Sequence, residues 1–287
     1  MHPHVQGFFD PVTFTASYIL RDPASSACAI IDSVLDFDYA AGRTHTESAD
    51  KIIAYVRAQD LQVQWIMETH VHADHLTAAP YLQQKLGGKT AIGKSVTIVQ
   101  KTFGEIFNLG TEFVPNGKQF DRLIGDGEHL MVGGMEVRAM HTPGHTPACM
   151  TYIADDAAFI GDTMFMPDYG TARADFPGGD ARQLYHSIRK ILNLPPSTRL
   201  FLCHDYKAPG RDEFIWETRV ATQRTANVHI HDGISEEEFV KMRTSRDATL
   251  DMPALIIPSV QINMRAGELP PAESNGVRYL KAPLNYF

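Results

Sequence analysis

From His70 to His75, six positions carry three histidines and an aspartate, in the run Thr69-His70-Val71-His72-Ala73-Asp74-His75. All four are strong donors to a metal ion. Alternate residues of an extended segment point the same way, so His70 and His72 can converge on one ion. Asp74 and His75, expected at the start of the next helix, would face a neighbouring position. A plain N-cap role for Asp74 explains one of the four residues and leaves three histidines unaccounted for.

Three later segments add donors. In His141-Thr142-Pro143-Gly144-His145-Thr146 the Pro-Gly pair forces a tight loop that can hold His145 at a strand end. In Gly161-Asp162-Thr163 the glycine permits close backbone approach and Asp162 supplies a carboxylate. Cys203-His204-Asp205 closes another apolar run. Each segment is weak alone; together, in this order, they are specific. His141 reads as a loop residue behind the ligands. His2, His4, His45, His129, His186, His229 and His231 read as structural or surface residues.

Positioning these segments requires strands that end beside one another. Short β-branched or apolar runs predict strands at 13–20, 28–32, 61–67, 90–92, 137–140, 150–153, 158–160 and 200–203, with hairpin strands within 118–137. Helical spacing predicts helices at 49–58 (capped by Ser48 or Asp50), 76–86, 96–107, 181–192, 213–224 and 235–243. Residues 34–47 read as an irregular loop, and the segment after 243 as a Pro-rich tail. Each donor segment follows a predicted strand, where an α/β fold places its active-site loops. The alternation predicts one α/β domain over 1–287, with a C-terminal helical extension from about 212 to 287.

Composition sets the outer limits. The chain has 287 residues, 44% of them hydrophobic and 21% charged, enough to bury a sizeable core. Acidic residues outnumber basic ones 34 to 26, a net charge of −8 that fits a nucleic-acid binder poorly. Cys28, Cys149 and Cys203 are odd in number and sit in apolar runs, as buried reduced thiols do. Neither a signal-peptide pattern nor an apolar run of about 20 residues is visible, so a cytoplasmic protein with no membrane partner is expected.

The motifs THVHADH, HTPGHT, GDT and CHDY together resemble the metallo-β-lactamase superfamily. The resemblance implies an αβ/βα four-layer sandwich with a metal site at one edge. It also implies two ways of using the donors. Hydrolases hold one ion on His70, His72 and His145 and a second on Asp74, His75 and His204, with Asp162 bridging. Two ions about 3.5–4 Å apart then hold an attacking hydroxide. The other way holds one ion on two histidines and one carboxylate, the ligand set of non-haem Fe(II) oxygenases.

Arg173-Ala174-Asp175-Phe176, Leu184-Tyr185-His186-Ser187-Ile188, His204-Asp205-Tyr206 and Asn263-Met264-Arg265 resemble the persulfide dioxygenase family, also called sulfur dioxygenases. That resemblance implies one Fe(II) per chain on His70, His145 and Asp162; two Zn(II) are the alternative. His72, Asp74, His75 and His204 then stand behind the ligands or hold a second metal. The implied reaction oxidises glutathione persulfide with O2 to sulfite and glutathione. Arg173, Asp175, Tyr206 and Tyr185 are the implied substrate contacts, and a homodimer is the one further assembly considered. A dianionic thiol carrier also needs local cations, for which Arg173, Lys207, Arg211 and Arg224 are candidates.

The chain departs from that family in extra residues around 101–122 and 209–214, and in His229, which stands where a basic residue would help hold a carboxylate. The competing reading is a glyoxalase II-like thioester hydrolase with two metals. A nuclease is disfavoured by the net charge, and a non-catalytic binding module should lack some donors. A flavodiiron protein would carry a carboxylate where His72 stands.

Overall fold

The computed structural model describes residues 2–286. Its first half contains β1 (His4–Asp10), β2 (Thr15–Arg21), β3 (Ala27–Ile31), β4 (Val34–Asp38), β5 (Arg43–His45), β6 (Gln62–Met67), β7 (Leu76–Thr77), β8 (Lys89–Gly93) and β9 (Arg122–Ile124). The helices among them are α1 (Glu47–Ala58), α2 (Ala79–Leu86) and α3 (Val96–Ile106). The second half contains β10 (His129–Val132), β11 (Met135–His141), β12 (Met150–Ala154), β13 (Ala157–Phe159), β14 (Arg199–Phe201) and β15 (Glu217–Arg219). Its helices are α4 (Ala181–Leu192), α5 (Val220–Ala226), α6 (Glu236–Asp247) and α7 (Ile256–Asn263).

Two six-stranded sheets, ordered β1-β2-β3-β6-β8-β9 and β10-β11-β12-β13-β14-β15, carry the fold; β5-β4-β7 form a small third. The first sheet runs antiparallel through β3 and parallel from β3 through β6 and β8 to β9. The second is antiparallel except for the parallel pair β13–β14. Parallel neighbours finish on the same edge, so the loops after β3 and β6, and those after β13 and β14, can meet.

Side-chain alternation along each strand sorts residues into layers. Tyr18, Leu20 and Ile31 point inward and meet Tyr152, Phe159 and Phe201 of the opposite sheet. Their neighbours Ile19 and Ile30 point outward onto Ile52, Val56 and Leu82 of α1 and α2. On the far side Ile153 and Ala158 pack under Leu184 and Ile188 of α4 and Phe239 of α6. Each fully buried aliphatic side chain contributes about 1.5–3 kcal/mol, so both outer helical layers are held chiefly by burial. The result is the αβ/βα order expected, with α3 and α7 packed around Ile92 at one end.

Some elements differ from expectation. Residues 34–38 and 43–45 form β4 and β5, not a loop; most of their side chains are partly or fully exposed, so no alternation of buried and exposed positions marks them as strands. Residues 213–224 are not one helix: β15 pairs with β14 before α5 begins. The segment 76–86 starts as strand β7, and α2 begins only at Ala79 with proline in its first turn. Asp74 and His75 therefore lie in a loop, not at a helix start. Helix α1 follows Thr46, while Ser48 bonds Asp36 instead of capping. The tail contains α7. Residues 212–286 thus supply an edge strand as well as three helices; Met1 and Phe287, the ends of the expected domain, lie outside the described residues.

Candidate metal centre

Each central histidine is aimed by what holds its outer nitrogen. Asp32, at the end of β3, accepts from the Thr69 N–H at 2.7 Å and from the Thr69 hydroxyl at 2.9 Å. With that hydroxyl proton committed, Nδ1 of His70 donates to Thr69 Oγ1 at 3.0 Å and leaves Nε2 facing inward. His145 donates from Nδ1 to the Arg173 carbonyl at 2.8 Å, and His204 from Nδ1 to the Phe14 carbonyl at 3.1 Å. Fixing the outer nitrogen in this way sets tautomer and ring orientation for metal binding.

The inward atoms converge on Asp162. Its Oδ2 lies 3.8 Å from His70 Nε2 and 3.5 Å from His145 Nε2. Its Oδ1 lies 3.4 Å from His204 Nε2, which is itself 3.0 Å from Asp74 Oδ2. Two groupings divide these donors, His70, His145 and Asp162 in one and His72, Asp74, His75 and His204 in the other, with Cys203 within reach of Asp162 and His204. His72 thus groups with the second set and not with His70 and His145. Its Nε2 is held by Asp32 at 3.1 Å and Glu68 at 3.3 Å, which leaves Nδ1 buried and unpartnered.

Close approach of the loops depends on two glycines. Gly161 has φ +52°, and a Cβ there would lie 2.6 Å from Thr69 Oγ1. Gly144 has φ +139°, and a Cβ there would run into the backbone of Leu184 in α4. A side chain at either position would push Asp162 or His145 out of the cluster.

Burial and chemistry together fit a metal ion. His70 Nε2, His72 Nδ1, Asp74 Oδ2, His75 Nε2, Asp162 Oδ1 and His204 Nε2 are all buried without a hydrogen-bond partner. Such a concentration of unpaired polar atoms is costly unless an ion satisfies them. Burial, reinforced by the neighbouring imidazoles, holds His70 well below the usual histidine range, so its ring is neutral and ready to ligate. His75 is lowered for the same reason. For His72 burial acts downward, but the Asp32 and Glu68 carboxylates outweigh it and raise its pKa well above the usual value.

Beside the centre lies a cleft of about 560 Å³, with Asp74, His145 and Asp162 on its wall. Phe14, Phe165, Tyr169 and Tyr206 make part of its lining apolar. Tyr206 stacks on the His204 ring at 5.4 Å and 13°. Burial keeps its phenol well above the usual tyrosine pKa, hence protonated.

Of the other residues singled out in the sequence, Arg173 lines the cleft, but its guanidinium is bidentate to Asp175 at 2.6 and 2.8 Å and also donates to the Asp251 carbonyl. Asp175 is that arginine's partner and does not line the cleft. Tyr185 lies under α6, bonded to the Ile234 carbonyl and packed on Phe239. Lys207 sits over the Phe214 ring, Arg211 pairs with Asp168 and Asp205, and Arg224 pairs with Asp232; none lines the cleft. His141 bonds the Pro147 carbonyl and closes the loop that carries His145.

Sequence reading missed Asp32, Glu68 and Asn263, which are buried around the donor loop. Asn263 donates to the carbonyls of His72 and His75 and accepts from the Thr77 N–H. It also missed Arg243 and Arg246 on the cleft. The only signal for Asn263 was the family-like stretch 263–265; the others carry no local pattern.

The pattern of the Metallo-beta-lactamase superfamily matches residues 10–204. The chain belongs to the metallo-beta-lactamase superfamily. It is 60% identical over 291 aligned residues to a probable metallo-hydrolase of Burkholderia pseudomallei, covering 98% of this chain and 99% of that protein. It is 52% identical to glyoxylase B2 of Dictyostelium discoideum, covering 95% and 94%. The mitochondrial persulfide dioxygenase ETHE1 of mouse is 30% identical over 92% of this chain and 89% of its own. The crystal structure of ETHE1 from Myxococcus xanthus superposes with a TM-score of 0.74 at 27% identity, covering 92% of this chain and all of that one. The resemblance to persulfide dioxygenases therefore extends across most of this superfamily member. Among the described residues, no helix is long and apolar enough to cross a membrane.

Proposed function

We propose that this metallo-beta-lactamase superfamily enzyme is a mononuclear non-haem Fe(II) persulfide dioxygenase. In the proposed reaction, glutathione persulfide, O2 and water give glutathione and sulfite. The observation that carries the reading is the composition of the first cluster: two histidines and one carboxylate, His70, His145 and Asp162, while His72 falls with Asp74, His75 and His204. That is the donor set of iron oxygenases rather than the three-histidine set of a hydrolase's first ion. The relatives named persulfide dioxygenase support it.

Ferrous iron, held by His70, His145 and Asp162, would supply the electron exchange between a persulfide sulfur and O2. The protein's own part is geometry and polarity. Thr69, the Arg173 carbonyl and the Phe14 carbonyl hold the imidazoles in one tautomer. The aromatic wall of the cleft keeps bulk water from the reacting sulfur. The protonated Tyr206 hydroxyl can donate a hydrogen bond to the anionic substrate.

A second reading rests on Asp162, whose two oxygens face the two clusters as a bridging carboxylate would, and on relatives named metallo-hydrolase and glyoxylase. It is a two-zinc thioester hydrolase of the glyoxalase II type. Elemental analysis of anaerobically purified protein and an oxygen electrode separate the two. About one iron per chain with O2 uptake on glutathione persulfide is expected. Two metals per chain, hydrolysis of S-lactoylglutathione and no O2 uptake would reverse the conclusion.

A further inference from the structure

Building on the dioxygenase reading, we propose that Arg246 and Asp251 form a clamp for a zwitterionic amino-acid end of the thiol carrier. Both line the cleft that reaches His145 and Asp162. The other charged groups on that cleft are already engaged. Arg173 is held by Asp175 and the Asp251 carbonyl. Arg243 is buried, donating to Asp247 at 2.8 Å and to the Thr171 carbonyl at 3.0 Å. Asp74 and Asp162 belong to the metal centre. By contrast, the Arg246 guanidinium and the Asp251 carboxylate are exposed and make no hydrogen bond or ion pair among the described residues.

The two free charges sit on fixed supports. Arg246 lies three residues after Arg243 on α6, hence on the same face, and the buried Arg243–Asp247 pair pins that face against Thr171. Asp251 is tethered through its main-chain oxygen, which accepts from Arg173 Nη1 at 2.6 Å, while its side chain makes no hydrogen bond and acts on Arg173 only through its charge. A cation and an anion on the lining of one cleft, with aromatic rings on the same lining, suit a ligand that carries a carboxylate and an ammonium at one end. The γ-glutamyl end of glutathione is such a group. A carrier bearing phosphates and no ammonium would meet repulsion from Asp251 and gain only from Arg246.

The test uses the iron-loaded full chain and reads two quantities: the Kd of reduced glutathione by calorimetry, and KM and kcat for O2 uptake with glutathione persulfide. The probes are glutathione, its N-acetyl form and its γ-glutamyl α-amide. Losing one charge-assisted contact at an exposed rim weakens binding about tenfold. R246A should therefore raise Kd and KM about tenfold for glutathione and change the α-amide little, with the loss on KM rather than kcat. D251N should weaken glutathione and spare the N-acetyl form. R246K should recover part of the affinity. R224A, altering a cation paired with Asp232 away from the cleft, should match wild type. Unchanged Kd in R246A and D251N, an equal loss for all three probes, or the same loss in R224A would overturn the clamp. Absence of O2 uptake in wild type, with the calorimetric pattern intact, would overturn the dioxygenase reading and leave the clamp standing.

Discussion

Asp32 Oδ1 lies 3.1 Å from His72 Nε2, both side chains being buried in the segments that follow the parallel neighbours β3 and β6. The same carboxylate holds Thr69 and, through it, the ring of His70. One aspartate outside the donor set thus orients two of its histidines. Substituting Asp32→Asn keeps the volume and removes the charge. Loss of such an outer partner weakens metal affinity about 10–100-fold. Competition with a ferrous chelator measures it, and an affinity equal to wild type would show that Asp32 only packs.

Asp162→Ala removes the one carboxylate of the first cluster. The variant should purify without stoichiometric iron and without O2 uptake. Elemental analysis of anaerobic protein provides the check, and retained iron with full turnover would mean the ligands are misassigned.

Gly161→Ala adds a methyl group facing Thr69 in a left-handed backbone conformation. Strain of this kind costs on the order of 1–3 kcal/mol. In a chain of this size that lowers Tm by roughly 5 °C. Thermal denaturation reads the shift, and metal content should fall with it because Asp162 is displaced. An unaltered Tm would show that the loop relaxes freely.

The strand that delivers His204 is tied down by Arg199, which bonds both oxygens of Asp156 at 2.9 and 3.1 Å. The hydrogen bonds from Arg199 hold the Asp156 carboxyl below its usual pKa. A lowered folded-state pKa contributes stability above the unfolded value, near 3.9, and that contribution is lost as pH falls through the folded value. Because the pair is partly exposed, D156N should cost about 1 kcal/mol at pH 7. The difference from wild type should close as the pH drops below about 3.9. Urea denaturation across that range tests it; a gap that persists in acid would assign the effect to packing.

Much of the centre was legible because its donors are chemically unusual residues placed directly after strands. His70, His145, Asp162 and His204 each announce themselves by type, and Pro143-Gly144 or Gly161 marks the turn. Asp32 does not: an aspartate closing a strand is ordinary, and its partner Thr69 lies 37 residues away. Asn263 reaches His72 across 191 residues, a closure no local pattern encodes. Arg173 is a substrate contact by resemblance, but its engagement by Asp175 two residues on appears only in three dimensions. Arg246 sits on a strongly polar helix, where one more charge looks like solvent-facing surface. Strands β4 and β5 read as loop because polar residues interrupt them, and Pro80 is the sign that α2 begins after the donor loop.

At the centre the two sheets also touch through their backbones: Ala16 N–H donates to the Cys203 carbonyl at 2.7 Å, and Thr15 bridges to His204. Donors come from both sides of this seam, so a bound ion acts as a rivet through two half-shells. Pulling it out should let the edge breathe first, with amide exchange quickening at Ala16 and Asp205 while the strands behind them stay shut.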